Sequence, residues 1–161
     1  MKNIICFTLL ALISAEMSLA AGGEVSGTSS SSSSSDRYGS SDKNVDIFSE
    51  VKTLIKLSKF KEAHHKLENI EAGLEEADRL NLLGFTARKS GRLDVAGKYY
   101  DAALTIHPKH TGALEYQGEL FIQLGKVDQA KANLMLLEKI CWIPCNAERE
   151  LRKAIEKSLT N

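Results

Sequence analysis

The stretch LNLLGFTARKSGRLDVAGKYYDAALTIHP, residues 80–108, reads as two helical patterns broken at Ser90-Gly91. Gly84 sits inside the first pattern, where glycine costs about 1 kcal/mol relative to alanine. That cost makes sense where a second helix must come close, and Ala96 in the second pattern is small for the same reason. Gly91 supplies the left-handed backbone that commonly ends a helix. Beyond it, Ala96, Tyr100, Ala103 and Leu104 recur at steps that put them on one apolar stripe, which must pack against something.

The pattern returns further along the chain. A shift of 34 residues aligns Leu80 with Leu114, Gly84 with Gly118, Gly91 with Gly125, Asp94 with Asp128 and Ala96 with Ala130. The second copy, residues 114–144, keeps Gly118, Phe121, Ala130, Leu134 and Leu137 but has Trp142 where the first has Pro108. A weaker copy precedes both. SKFKEAHHKL, residues 58–67, matches GRLDVAGKYY, residues 91–100, one residue out of phase, with Ala63 on Ala96 and Val51 standing where glycine would be. Such degeneracy suits an end repeat whose outer face meets solvent.

A period of about 34 residues with an early glycine and a late alanine resembles the tetratricopeptide repeat. Leu83-Gly84, Ala96, Tyr100, Ala103 and Pro108 carry the resemblance. It implies an all-α, helix-turn-helix solenoid of about three repeats, over residues 45–76, 77–110 and 111–144. The segment 146–159 has Asn146 as a candidate helix cap and Leu151, Ala154, Ile155 and Leu159 on one side, and reads as a capping helix that closes the last repeat.

At 161 residues the chain is long enough for one domain and its tails. Its 21 basic and 21 acidic residues cancel, so no global field draws it to nucleic acid or to an anionic membrane. Residues 1–21 place Lys2 before a short apolar run, Ile4 to Ile13, followed by small residues at Ser18 and Ala20. That order is a secretory signal peptide, cleaved after Ala20 or Ala21. The run is too short to span a bilayer comfortably, so no membrane span is expected after cleavage. Residues 22–44, with seven consecutive serines, read as a disordered Ser-rich linker. The expected destination is the periplasm or the extracellular space.

Export would remove Cys6 and leave Cys141 and Cys145, an even pair in a compartment where disulfides persist. A turn at Pro144 allows a short structural disulfide between them. Two other readings stay open: a soft-metal site, for instance for Cu(I), and a redox thiol. The latter needs one accessible low-pKa thiolate, which the apolar neighbours Trp142 and Ile143 oppose.

The chain has no GxSxG, HExxH, phosphate-binding glycine loop or paired CxxC, so neither an enzymatic activity nor a cofactor is expected. His64 and His65 in a helix, and His107 and His110 around Pro108, read as solvent-exposed. Two imidazoles are too few for a structural zinc site.

In tetratricopeptide proteins the first helices of successive repeats line a concave groove that holds a peptide. The resemblance puts Asn81, Phe85, Arg88 and Lys89 in this groove from the middle repeat, Glu115, Glu119, Ile122 and Gln123 from the last, and Lys52 and Lys56 from the first. Glu115 and Glu119 stand against a two-carboxylate clamp. A basic end at Lys52, Lys56, Arg88 and Lys89 facing an acidic end at Glu115 and Glu119 suits a peptide of opposite polarity with an apolar residue against Phe85. The function implied is an adaptor that binds a protein or peptide partner. The alternatives are a thiol- or copper-handling accessory protein working through Cys141 and Cys145, and a self-associating assembly element.

Overall fold

The computed structural model describes residues 46–160. The expected signal peptide, with Cys6, and the Ser-rich linker lie outside the described residues. Among those described there are seven α-helices, one 3-10 turn and no strand. The helices are α1 (Ser49–Lys56), α2 (Phe60–Glu68), α3 (Glu76–Lys89), α4 (Leu93–Ile106), α5 (Thr111–Gln123), α6 (Val127–Ile140) and α7 (Asn146–Leu159). The 3-10 turn, Gly73–Glu75, leads into α3.

Each helix packs on the next through α6. In addition α3 touches α5, and α7 lies against both α5 and α6. The hairpins α1–α2, α3–α4 and α5–α6 turn in the same way, at Ser58 (φ 57°), Gly91 (φ 79°) and Gly125 (φ 73°). In each turn the residue after the left-handed one donates to a carbonyl five back: Lys59 to Leu54 (2.9 Å), Arg92 to Ala87 (2.9 Å), Lys126 to Phe121 (2.8 Å). The left-handed residue itself donates to the carbonyl three back, on Ile55, Arg88 and Ile122 respectively. This double bond pattern closes the carbonyl end of a helix. Glycine meets its backbone requirement at no steric cost, and serine does not.

Three apolar clusters lie along the stack. Phe48, Val51, Ala63, Leu67 and Leu83 fill the first, and Ala87, Ala96, Tyr100 and Leu120 the second. Leu114, Ala130, Leu137, Ala147, Leu151 and Ile155 fill the third. Val51, aligned with the two helix glycines, is fully buried against this first cluster. Gly84 lies under the Tyr100 ring of α4, whereas Gly118 lies under Leu151 of α7, so the second close approach is to the helix after next.

Polar side chains also tie the layers together. Arg79 donates to the Leu67 carbonyl (2.9 Å), joining the start of α3 to the end of α2. Gln117 on α5 donates to Asp101 on α4 (2.7 Å) and accepts from Asn133 on α6 (2.9 Å). Asn133 also donates to the Leu114 carbonyl (3.0 Å), so one chain of bonds crosses three helices.

The α6–α7 connection differs in detail from the sequence reading. Cys145, in extended backbone (φ −84°, ψ 169°), is the cap of α7, and Asn146 is its first helical residue. The Arg149 N–H donates to the Cys145 carbonyl (3.2 Å), which fixes where the helix begins. Leu151 and Ile155 are buried as the amphipathic pattern requires, but Leu159 is exposed at the helix end and Ala147 contributes to the core in its place.

Candidate interaction surface

On α3 the residues Asn81, Phe85 and Arg88 fall three or four apart and share a face; on the neighbouring α5, Tyr116 and Glu119 do the same. Because α3 and α5 are in contact, these faces meet. The Phe85 and Tyr116 rings are 4.9 Å apart at 49°. Phe60, at the start of α2, meets Phe85 edge-on at 6.2 Å. The Arg88 guanidinium lies 5.7 Å from the Phe85 ring and 5.9 Å from Tyr116, and the Lys89 ammonium lies 5.5 Å from Phe85, distances at which a cation is attracted to a ring.

Beneath the rings the face is charged and buried. The Arg88 side chain is 1% exposed and forms an ion pair with Glu119 across α3 and α5. Its Nε has no partner, and neither does the buried Tyr100 hydroxyl. Burial raises the Tyr100 hydroxyl pKa, against the opposing effect of Arg88. Glu115 is buried too, and its carboxyl is pushed up to about 7, first by burial and then by the charges of Glu119 and Glu150, with Arg88 pulling the other way.

Next to the aromatic pair a cleft runs across α1, α3 and α5, with Lys52, Asp78, Asn81, Leu82, Gly112 and Tyr116 on its walls. Asn81 is buried, yet its Oδ1 accepts no hydrogen bond. Lys52 is on the cleft but bonds to Asp46 at 2.8 Å.

Several sequence-assigned groove residues are placed differently. Arg88 and Glu119 are each other's partners, so these two residues of the expected basic and acidic ends neutralise each other instead of facing a ligand separately. Asn81, Arg88 and Glu115 form the floor of the surface, being buried. Ile122, on the face of α5 that carries Glu115 and Glu119, packs against the apolar cluster of α5, α6 and α7. Lys56 and Gln123 are exposed and outside the cluster of contacts, and Lys89 is exposed above Phe85. Tyr116 and Phe60 were missed. The period of 34 residues puts Tyr116 in register with Leu82, and both line the cleft, so the repeat itself held the signal.

Compared with protein-family models, curated proteins and solved structures, the chain gives no match.

Cys141 and Cys145 stand at disulfide distance, with α-carbons 5.8 Å apart, in the usual range for a disulfide. Trp142 and Ile143 do not shroud the sulfurs, being 98% and 79% exposed. Two of the four histidines are not solvent-exposed as expected. His64 is buried against α3, its Nδ1 2.8 Å from Thr86 Oγ1. Burial, then Arg92, lowers its pKa. His110 caps α5: its Nδ1 accepts from the Ala113 N–H (3.1 Å), leaving Nε2 to donate to Asp78 (3.2 Å). Among the described residues no three His, Cys, Asp or Glu side chains gather as a metal site.

Proposed function

We propose that this chain is an exported, tetratricopeptide-like adaptor that binds an extended segment of another protein along the face of α1, α3 and α5. One observation carries the reading: the half-buried Phe85–Tyr116 pair adjoins a cleft that runs across α1, α3 and α5. An apolar ligand side chain would cover the rings, and the rest of the segment would lie along the cleft beside them. The three matched hairpin turns and the 34-residue alignment support the repeat assignment. The paired cysteines support an oxidising compartment.

The arrangement of charge selects the ligand further. Arg88 is buried and already paired with Glu119, so it makes a poor anchor for a ligand carboxylate. The partner segment is therefore read as apolar, with extended backbone, and not as a C-terminal carboxylate. Selection of peptides from a displayed random library on the wild-type domain, repeated on Phe85→Ser with Tyr116→Ser, tests this. Enrichment of a shared motif by wild type, lost in the double variant with helicity preserved, is the expected result. Equal enrichment by both would remove this face as the binding surface.

A further inference from the structure

Two clefts of about 330 Å³ each meet at Lys61 and Ser90, which line both. Their walls carry four cations, Lys59, Lys61, Lys89 and Arg92, against two carboxylates, Glu62 and Glu68. Glu62 is taken by Lys59 at 3.1 Å, and Glu68 lies 3.7 Å from His64 and 3.5 Å from His65. Lys61, Lys89 and Arg92 are exposed and form no ion pair among the described residues. Of the acids nearby, Asp94 in the first turn of α4 and Glu119 on α5 line neither cleft, and Glu119 is held by Arg88.

Helix stability does not account for this crowding of like charge. Lys89 lies in the last turn of α3, where a cation suits the carbonyl end of a helix. Lys59 and Arg92 instead precede the first turns of α2 and α4, and Lys61 lies inside the first turn of α2. These are the positive ends of helices, where a cation is disfavoured. Neither Lys59 nor Arg92 supplies the side-chain acceptor that commonly closes a helix start. A ligand anion in the clefts would relieve the crowding.

We propose that the partner segment carries acidic side chains beside its apolar anchor, two or more Asp or Glu that seat against Lys89, Lys61 and Arg92. This partner chemistry rests on the adaptor reading above and adds the segment's charge to it. Continuity of the surface supports it. Phe60 lines the first cleft and meets Phe85 edge-on at 6.2 Å, and Lys89 lines the same cleft while standing 5.5 Å from the Phe85 ring. An extended chain advances about 3.3 Å per residue, so an acid a few residues from the anchor reaches Lys89. Ser90 and Lys61 join the clefts, so the same segment passes on to Arg92. These cations lie at the turns between helices, whereas Arg88, on the groove floor, is spent on Glu119. An acidic peptide suits the surface better than a nucleic acid does. The excess on the cleft walls is small and the chain carries 21 residues of each sign, while nucleic-acid binding calls for a long basic stripe.

The displayed random library is selected on the wild-type protein and on two variants. One is neutral, Lys61→Gln with Lys89→Gln and Arg92→Gln; the other is reversed, Lys61→Glu with Arg92→Glu. Wild type is expected to enrich an apolar anchor with Asp or Glu on one flank. The neutral variant should keep the anchor and lose the acidic flank, and the reversed variant should select Lys or Arg there. A synthetic copy of the wild-type motif should bind the neutral variant roughly tenfold more weakly, and raised salt should weaken its binding to wild type. Far-UV circular dichroism checks that these exposed substitutions keep the helices. An anchor selected without acidic bias, or the same acidic flank on all three proteins, overturns this proposal and leaves the adaptor reading standing. No shared motif on wild type would sink both. Tighter binding of wild type to an oligothymidine strand than to its selected peptide would also overturn the proposal and assign the clefts to nucleic acid.

Discussion

Gly84 lies so close beneath Tyr100 that a methyl group on its α-carbon would stand 2.5 Å from ring carbon Cε1. Tyr100 is fully buried and has no room to withdraw. Gly84→Ala is therefore expected to destabilise the domain by about 2 kcal/mol despite alanine's higher helix propensity. Gly118→Ala should behave alike, since its methyl would stand 2.6 Å from Leu151 Cδ1. Gly97→Ala is the control: its nearest neighbour, Leu120 Cδ2, would be at an ordinary 3.6 Å, so that substitution should stabilise by about 0.5–1 kcal/mol. Urea unfolding of the three variants distinguishes close approach from propensity.

Ser58 occupies the left-handed position that glycine fills in the other two hairpins. Ser58→Gly should raise stability by up to about 1 kcal/mol, because the strain removed from the folded turn exceeds the freedom gained by the unfolded chain. The measurement is a shift of the denaturation midpoint at constant slope. A lower midpoint would mean that the serine backbone there is not strained.

The Arg88–Glu119 pair links α3 to α5 with the arginine side chain 1% exposed. Removing one member leaves a buried charge, so Glu119→Ala is expected to cost about 3 kcal/mol. Arg88→Met with Glu119→Leu should cost much less, because neither charge is left unpaired. A double variant as unstable as the single one would show that the pair's worth lies in its geometry and not in compensation of charge.

Glu115 titrates against its surroundings. Its folded pKa, about 7, lies above its ordinary 4.5, so the folded state holds the proton more tightly. Its contribution to stability is thus complete below about pH 4.5 and is lost as pH rises to about 7, by up to about 2 kcal/mol. Burial sets this first, then the charges of Glu119 and Glu150, with Arg88 opposing them. Glu115→Gln should flatten that part of the stability profile, measured by thermal melts across the same pH range. An unchanged slope in the variant would assign the dependence to other groups.

The all-helical class was legible because its signals are local. Gly91 and Gly125 mark left-handed turns, and Gly84 and Gly118 mark close approaches, each readable from a few residues and a period. What was not legible depends on which distant side chains meet. Arg88 and Glu119 are 31 residues apart, and as isolated groove positions each looked available to a ligand. Gly118 could be read as needing space without revealing that Leu151, on α7, takes that space. Ile122 looked like groove lining, although it packs against the cluster of α5, α6 and α7. His64 and His110 looked solvated because their partners, Thr86 and Asp78, lie on α3.

The most direct test of the adaptor reading is photocrosslinking from the aromatic face. A benzophenone side chain is placed at Tyr116 or, on the α6 side of the domain, at exposed Leu136. Each protein is irradiated with the peptide that the wild-type domain selects from a random library. A covalent adduct from position 116, competed by unlabelled peptide, with none from position 136, is the predicted result. Crosslinking from 136 and not from 116 would contradict the account and move the binding surface to the other side of the helical stack.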